Sequence, residues 1–210
     1  MKEIDMGADI HYTFQKKNVV DEREVWETIE TDDSYGSKFH IGRHYLLFAA
    51  LADVRNGFGF GGISTHEPIP YMALPKGIPD DMDIDEYGDS VSDNKWYGDH
   101  SYSYLSGDEI LDYFKTPNIT TRYGIISKNQ YLEWDGKSSP TSWSGGVSAS
   151  DISIYDASNE GAGVSLDDDV TNVRIKWECD VNKELGYFKS IIEHLTNEHG
   201  EVRMVFGFDS

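Results

Sequence analysis

Asp9-Ile10-His11 places a carboxylate and an imidazole two positions apart in a stretch that alternates like a strand. Side chains two apart on a strand share a face, so Asp9 and His11 turn one way while Ile10, Tyr12 and Phe14 turn the other. Such a pair can hold a divalent metal, relay a proton or grip a polar ligand. The same two residues also suit a solvated strand face, or a buried pair that hydrogen-bonds neighbouring loops.

The elements that position this pair follow from periodicity. Ala8 to Gln15 reads as a strand, with Glu24 to Glu30 as its hairpin partner across a polar Lys16 to Asp21 turn. Leu47, Ala50, Leu51 and Val54 mark a helix over His44 to Val54, and Tyr45, Leu46 and Phe48 widen its stripe until it must be buried on most sides. Arg55, Asn56 and Gly57 close it. Gly57 to Gly62, rich in Gly and Phe, reads as a flexible hinge. It follows a helix, and no Lys-Ser or Lys-Thr completes a phosphate loop. The connection then runs to Tyr97 without a sustained period. Tyr71, Met72, Leu74 and Ile78 pack its first half, and Asp80 to Asp93 is expected to be the more mobile part.

Ser106 and Glu109 have capping-box spacing before Ile110, and Ser127 and Gln130 repeat it before Tyr131. Gly136 to Gly163 looks like a Ser- and Gly-rich surface excursion. Near the C-terminus, Val173 to Glu178 alternates as a strand and Glu184 to Glu198 carries Leu185, Phe188, Ile191, Ile192 and Leu195 at helical spacing. Val202, Met204, Phe206 and Phe208 alternate again. The fold class these elements predict is α+β, a mostly antiparallel sheet with packed helices and long irregular loops, in one domain over residues 1–210.

Composition narrows the function classes. With Lys+Arg 18 against Asp+Glu 38 and a net charge of -20, the chain is unsuited to non-specific nucleic-acid binding or to anionic membranes, both of which need positive potential. A cation or a basic partner protein fits such a charge. The single Cys179 has no internal disulfide partner, and its strand parity with Val173, Ile175 and Trp177 predicts a buried, inert thiol. No secretory signal is recognisable and no apolar run approaches the ~20 residues of a membrane helix, so a cytoplasmic location is expected. Asp81, Asp83, Asp85 and Asp89 mimic a calcium loop, but Glu86 stands where the turn needs Gly. A solvated acidic loop is the better reading. Asp167 to Asp169 reads as an exposed turn.

Met6-Gly7-Ala8-Asp9-Ile10-His11, Gly42-Arg43-His44-Tyr45, Val54-Arg55-Asn56-Gly57, Pro75-Lys76-Gly77-Ile78-Pro79 and Asp99-His100-Ser101-Tyr102-Ser103 together resemble an uncharacterised family of bacteriophage and bacterial proteins that opens with Met-Gly-x-Asp-Ile-His. The likeness extends through Tyr131-Leu132-Glu133-Trp134 to Val202 to Asp209, with Met1 to Asp5 as an extension before the usual start. Two positions depart from the pattern. His44 replaces a usual Asn, and Lys76 replaces a usual Arg, which removes a bidentate donor.

The aligned motifs add Arg43, Arg55, Asn56, His100, Ser101 and Ser103 to Asp9 and His11. By their chemistry Asp9, His11 and His100 are the catalytic candidates, and Arg43, Arg55, Asn56, Ser101 and Ser103 are the candidate ligand contacts. Two guanidiniums can grip a phosphate, and a His can carry a proton. Asp9 and His11, joined by His100 and Asp99, can instead ligate a metal that activates water. Helix-end capping is the structural alternative for Arg55 and Asn56, and a turn before a helix is the alternative for the His100 to Ser103 motif. Three functions are compatible with these residues in a bacterial host cytoplasm. One is a pocket for a small anionic, nucleotide-like ligand with phosphoester hydrolysis in counter-defence. Another is a sponge that sequesters a nucleotide immune signal without turnover. The third is an acidic inhibitor, or DNA mimic, of a basic host defence protein.

Overall fold

In the computed structural model the described residues are 7–32, 34–85, 87–91, 94–146, 153–157 and 166–209. The expected extension at Met1 to Asp5, Glu86 of the acidic loop, and much of the Gly136 to Gly163 excursion lie outside them.

The architecture is α+β, built on a four-stranded antiparallel sheet. Strand β1 (Asp9–Val20) pairs with β2 (Arg23–Thr28) on one side and with the C-terminal strand β9 (Val202–Asp209) on the other. Strand β5 (His100–Ser106) pairs with the far edge of β9. β1 runs five residues past the predicted end at Gln15. A tight turn at Asp21 and Glu22, both at positive φ (49° and 63°), replaces the expected longer one. Lys17 stays on the sheet because its ammonium reaches Glu24 at 2.9 Å and Glu201 at 3.2 Å.

One face of this sheet makes the main core. Phe14, Met204, Phe206 and Phe208 pack against helices α1 (Tyr45–Ala52), α2 (Gly107–Tyr113) and α5 (Gly186–His199). α1 is buried from Leu46 to Ala52, as its widened stripe predicts. α2 starts with the expected capping box between Ser106 and Glu109. The carboxylate of Glu109 also accepts from the Lys76 ammonium, at 2.6 Å to each oxygen.

The opposite face is covered by the acidic segment expected to be mobile. Asp81 receives two hydrogen bonds from Arg203, at 2.9 and 2.8 Å, and Gln15 Oε1 accepts a third at 2.7 Å. Asp85 accepts from the backbone N–H groups of Tyr87 and Asp89, so part of the acidic run forms its own turn. The segment continues through a short ribbon, β3 (Asp89–Ser90) with β4 (Lys95–Trp96), to the fully buried Tyr97. An arginine buried on the sheet needs an acidic partner, and Asp81 supplies it.

A second sheet pairs β6 (Ile119–Ser127) antiparallel to β8 (Asn172–Asp180), with β7 (Ile154–Asp156) parallel to β8. Helix α3 (Lys128–Glu133) begins where the Ser127 hydroxyl accepts from Gln130 N–H. Val173, Ile175, Trp177 and Tyr131 form a smaller core. The C-terminal strand, helix, strand run therefore crosses between sheets, from β8 to β9. Its predicted helix over Glu184 to Glu198 is α5, and a separate short helix, α4 (Val181–Glu184), precedes it. Asp167 to Asp169 forms the expected exposed turn. Among the described residues no helix is long and apolar enough to cross a membrane.

Candidate functional site

Asp9 and His11 share the face of β1 turned away from the main core. The Asp9 carboxylate accepts two hydrogen bonds from the Arg43 guanidinium, one of them 2.9 Å from Nε, and these hold its pKa below the usual carboxylate range. Its backbone N–H donates to Asp209 at 3.0 Å. The His11 ring sits 4.5 Å from the Trp96 ring, with Nε2 3.5 Å from Asp209. Arg43 is thus already paired with a carboxylate.

The other candidates are placed elsewhere. His100 lies opposite Phe208 on β9 and stacks over its ring at 6.2 Å, with Nδ1 2.9 Å from the Ser101 hydroxyl. Ser101 has φ 54° at an irregularity in β5. Ser103 is buried, and its hydroxyl accepts from Lys76 N–H. Asn56 bonds both the N–H and the C=O of Ile69, at 2.9 and 2.8 Å, and so clamps two loop segments together. Arg55 donates to Gly59 C=O at 3.1 Å and lies over the Tyr45 ring. These bonds are those of a structural scaffold. Asp9, His11 and Arg43 form one cluster, and the hydrogen bonds and ring contact described for His100, Asn56, Ser101 and Ser103 lead elsewhere.

A different polar constellation gathers where the start of α1 faces β6 and α4. A pocket of about 220 Å³ is walled by Arg43, His44, His66, Arg122, Glu184 and Trp143. Arg122 points inward from β6 and is 6% exposed. Its guanidinium donates to the Glu184 carboxylate, which also accepts from the Cys179 thiol at 2.8 Å. Asp180 caps α4 by accepting from the N–H groups of Asn182 and Lys183, which sets Glu184 at the end of that turn. Burial, with the Glu184 carboxylate adding to it, pushes the Cys179 thiol up to about 11, so the predicted inert thiol stands.

Both imidazoles have tautomers dictated by their bonds. His44 caps α1, its Nδ1 accepting from Leu47 N–H at 3.3 Å, so the neutral ring carries hydrogen on Nε2, 3.8 Å from Glu184. His66 is 2% exposed, with Nδ1 2.9 Å from the Glu67 carbonyl. A carbonyl only accepts, so Nδ1 carries the hydrogen and Nε2 keeps its lone pair. That buried Nε2 has no hydrogen-bond partner among the described residues.

Burial pushes the pKa of each imidazole below its ordinary 6.5. The unfolded chain therefore binds more protons just below pH 6.5, and stability contributed by the two neutral rings is lost as pH falls from there through their folded pKa values. Urea midpoints measured from pH 7.5 down to 5 should decline, and His66→Asn should flatten part of that slope. An unchanged slope in the variant would remove His66 as its source.

The pocket opens onto an apolar groove walled in part by the segment read as a hinge. Gly57 to Thr65 forms a small hairpin, with Thr65 N–H donating to Gly57 C=O at 2.9 Å and Gly59 N–H to Ile63 C=O at 2.7 Å. Its glycines supply the positive φ of the tip, at Gly61 and Gly62, and the run forms one wall of the groove. Beyond the hairpin, His66 bridges to Arg122 on β6, and Glu67 N–H donates to Thr121 C=O.

In the sequence His44 and Glu184 mark helix starts, and no motif singles out His66 or Arg122. Arg122 had a signal: it shares strand parity with Thr120 and Gly124, and a charge at an inward position demands a buried partner. His66 and Glu184 had none, because one is brought in from a loop and the other from the short helix α4, both remote in sequence from Arg122. Among the described residues no group of three or more His, Cys, Asp or Glu side chains is arranged to hold a metal ion. No protein-family model, curated protein or solved structure matches the chain, so the chemistry of the site rests on its own geometry.

Proposed function

We propose that the protein binds a small anionic, nucleotide-like ligand between Arg43, Arg122 and His66, and that His66 is the proton acceptor for phosphoester hydrolysis there. The observation that carries this reading is the His66 Nε2 lone pair, buried without a donor and held neutral in the wall of a pocket with two guanidiniums. A neutral imidazole can take the proton of water as its oxygen bonds to phosphorus and the bond from phosphorus to the ester oxygen breaks, the departing oxygen taking its proton from solvent. The N–H groups of Arg43 and Arg122 not engaged by Asp9 and Glu184 are suited to phosphoryl oxygens. The reading moves the proton carrier from His11 and His100 to His66.

The test is a panel of nucleoside monophosphates, diphosphates and cyclic nucleotides, followed by calorimetry and product chromatography with and without divalent cations. His66→Asn retains an amide N–H for Glu67 C=O but lacks the Nε2 base. It should leave binding within a few-fold and cut turnover by about 10²–10⁴. Binding with the ligand recovered unchanged after denaturation would favour the sponge. A panel that neither binds nor reacts would sink both readings.

A further inference from the structure

The apolar groove beside the polar pocket has a volume of about 640 Å³, within the range of small-molecule sites. Tyr45, Gly59, Thr65 and Trp143 wall both, so they form one continuous depression with a charged end and a greasy end. We propose that the groove is a base-binding subsite, taking the flat heteroaromatic ring of a ligand whose phosphate reaches Arg43 and Arg122. This rests on the anionic-ligand reading and names the other half of the molecule.

The ring class follows from the walls. Phe60 and Trp143 remain 59% and 38% exposed although their backbones are tied down, Phe60 by the hairpin and Trp143 beside the Ser144–Ile125 bridge. The Trp143 ring packs edgewise on Trp177 at 5.3 Å and carries the Arg122 guanidinium 5.1 Å from its centroid. The Trp143 side chain is thereby oriented without being covered. Glycine at 59 and 146 keeps the groove shallow-walled: a Cβ would come within 2.8 Å of Thr65 at the first and 2.7 Å of Ile63 at the second. Exposed aromatic faces beside a cationic pocket suit stacking of a nucleobase, which contributes whatever the base identity.

Isothermal titration of the full chain with each common nucleoside 5′-monophosphate, with ribose 5-phosphate and with uncharged adenosine separates the two ends. At least one nucleotide should bind about tenfold or more tighter than ribose 5-phosphate. Trp143→Ala and Phe60→Ala should each shrink that gap. Adenosine that binds and is weakened by Trp143→Ala, with ribose 5-phosphate silent, would keep the subsite while the anion reading fails. Equal affinity for nucleotides and ribose 5-phosphate would overturn the subsite. So would a dimer in sedimentation that Phe60→Ala dissolves, because a second copy would then occupy the groove.

Discussion

Gly207→Ala should cost the protein at least about 3 kcal/mol of stability, or prevent its folding, although the substitution adds a single methyl group. Gly207 lies in the central strand β9, directly opposite His11. The backbone of Tyr97 crosses over it so closely that a Cβ would overlap the Tyr97 carbonyl oxygen and come within 2.7 Å of the Tyr102 ring. Neither neighbour is a free end. Tyr97 is fully buried, with its N–H bonded to Gly88, and the Tyr102 hydroxyl donates to Gly98 C=O at 2.7 Å. Relief requires lifting the covering segment off the sheet, which also moves Trp96 away from His11. Gly186→Ala is the control, since no atom lies within 4 Å of its Cβ position, and it should change stability little. Urea unfolding of the two variants gives the comparison; a Gly207→Ala protein as stable as the parent would show that the Tyr97 segment is not seated on β9.

Periodicity made the packed elements of this chain readable and left its polar junction dark. The buried stripe of α1, the capping box at Ser106 and the alternation of β9 are local signals, each complete within about ten residues, and each is present where expected. The acidic run from Asp80 keeps its aspartates exposed, as its composition predicts, but nothing local shows what ties it to the sheet. Its anchor, Arg203, stands 122 residues away in sequence from Asp81. The hairpin at Gly57 to Thr65 was hidden for a related reason: glycine marks positive φ without saying which segments it brings together. Of the candidate side chains, Asp9, His11 and Arg43 were brought together by strand parity and one bidentate ion pair. Ser103 and Asn56 instead satisfy buried backbone groups, a role no motif distinguishes from ligand binding. Arg122, Glu184 and His66 come from three segments joined only by tertiary folding.

Glu184→Ala should destabilise the protein by about 3–5 kcal/mol, because it strands the Arg122 guanidinium in a site where that residue is only 6% exposed. The carboxylate is the common acceptor for Arg122 and Cys179 and lies 3.8 Å from His44 Nε2, so its loss leaves several groups poorly served at once. Arg122→Met alone should also destabilise, by less, since Glu184 sits nearer solvent and can rehydrate. Combined as Arg122→Met with Glu184→Leu, the pair should cost far less than the sum of the single changes, as apolar groups of similar volume avoid the desolvation of two charges. A double-mutant cycle by urea unfolding measures that coupling; strict additivity would mean that the two side chains do not form the pair. The double variant also separates stability from function. If it folds, its pocket has lost both the cationic floor and the carboxylate that favours the charged form of His44. The nucleotide panel should then register no binding while Gly186→Ala binds as the parent does. In the Glu184→Gln protein, whose amide keeps a carbonyl for Arg122, the His44 pKa should fall further below 6.5, because the nearby negative charge that opposes the effect of burial is gone. Titration of the imidazole resonances by NMR reads that shift directly, and a rise would mean that Glu184 does not act on His44 as a charge.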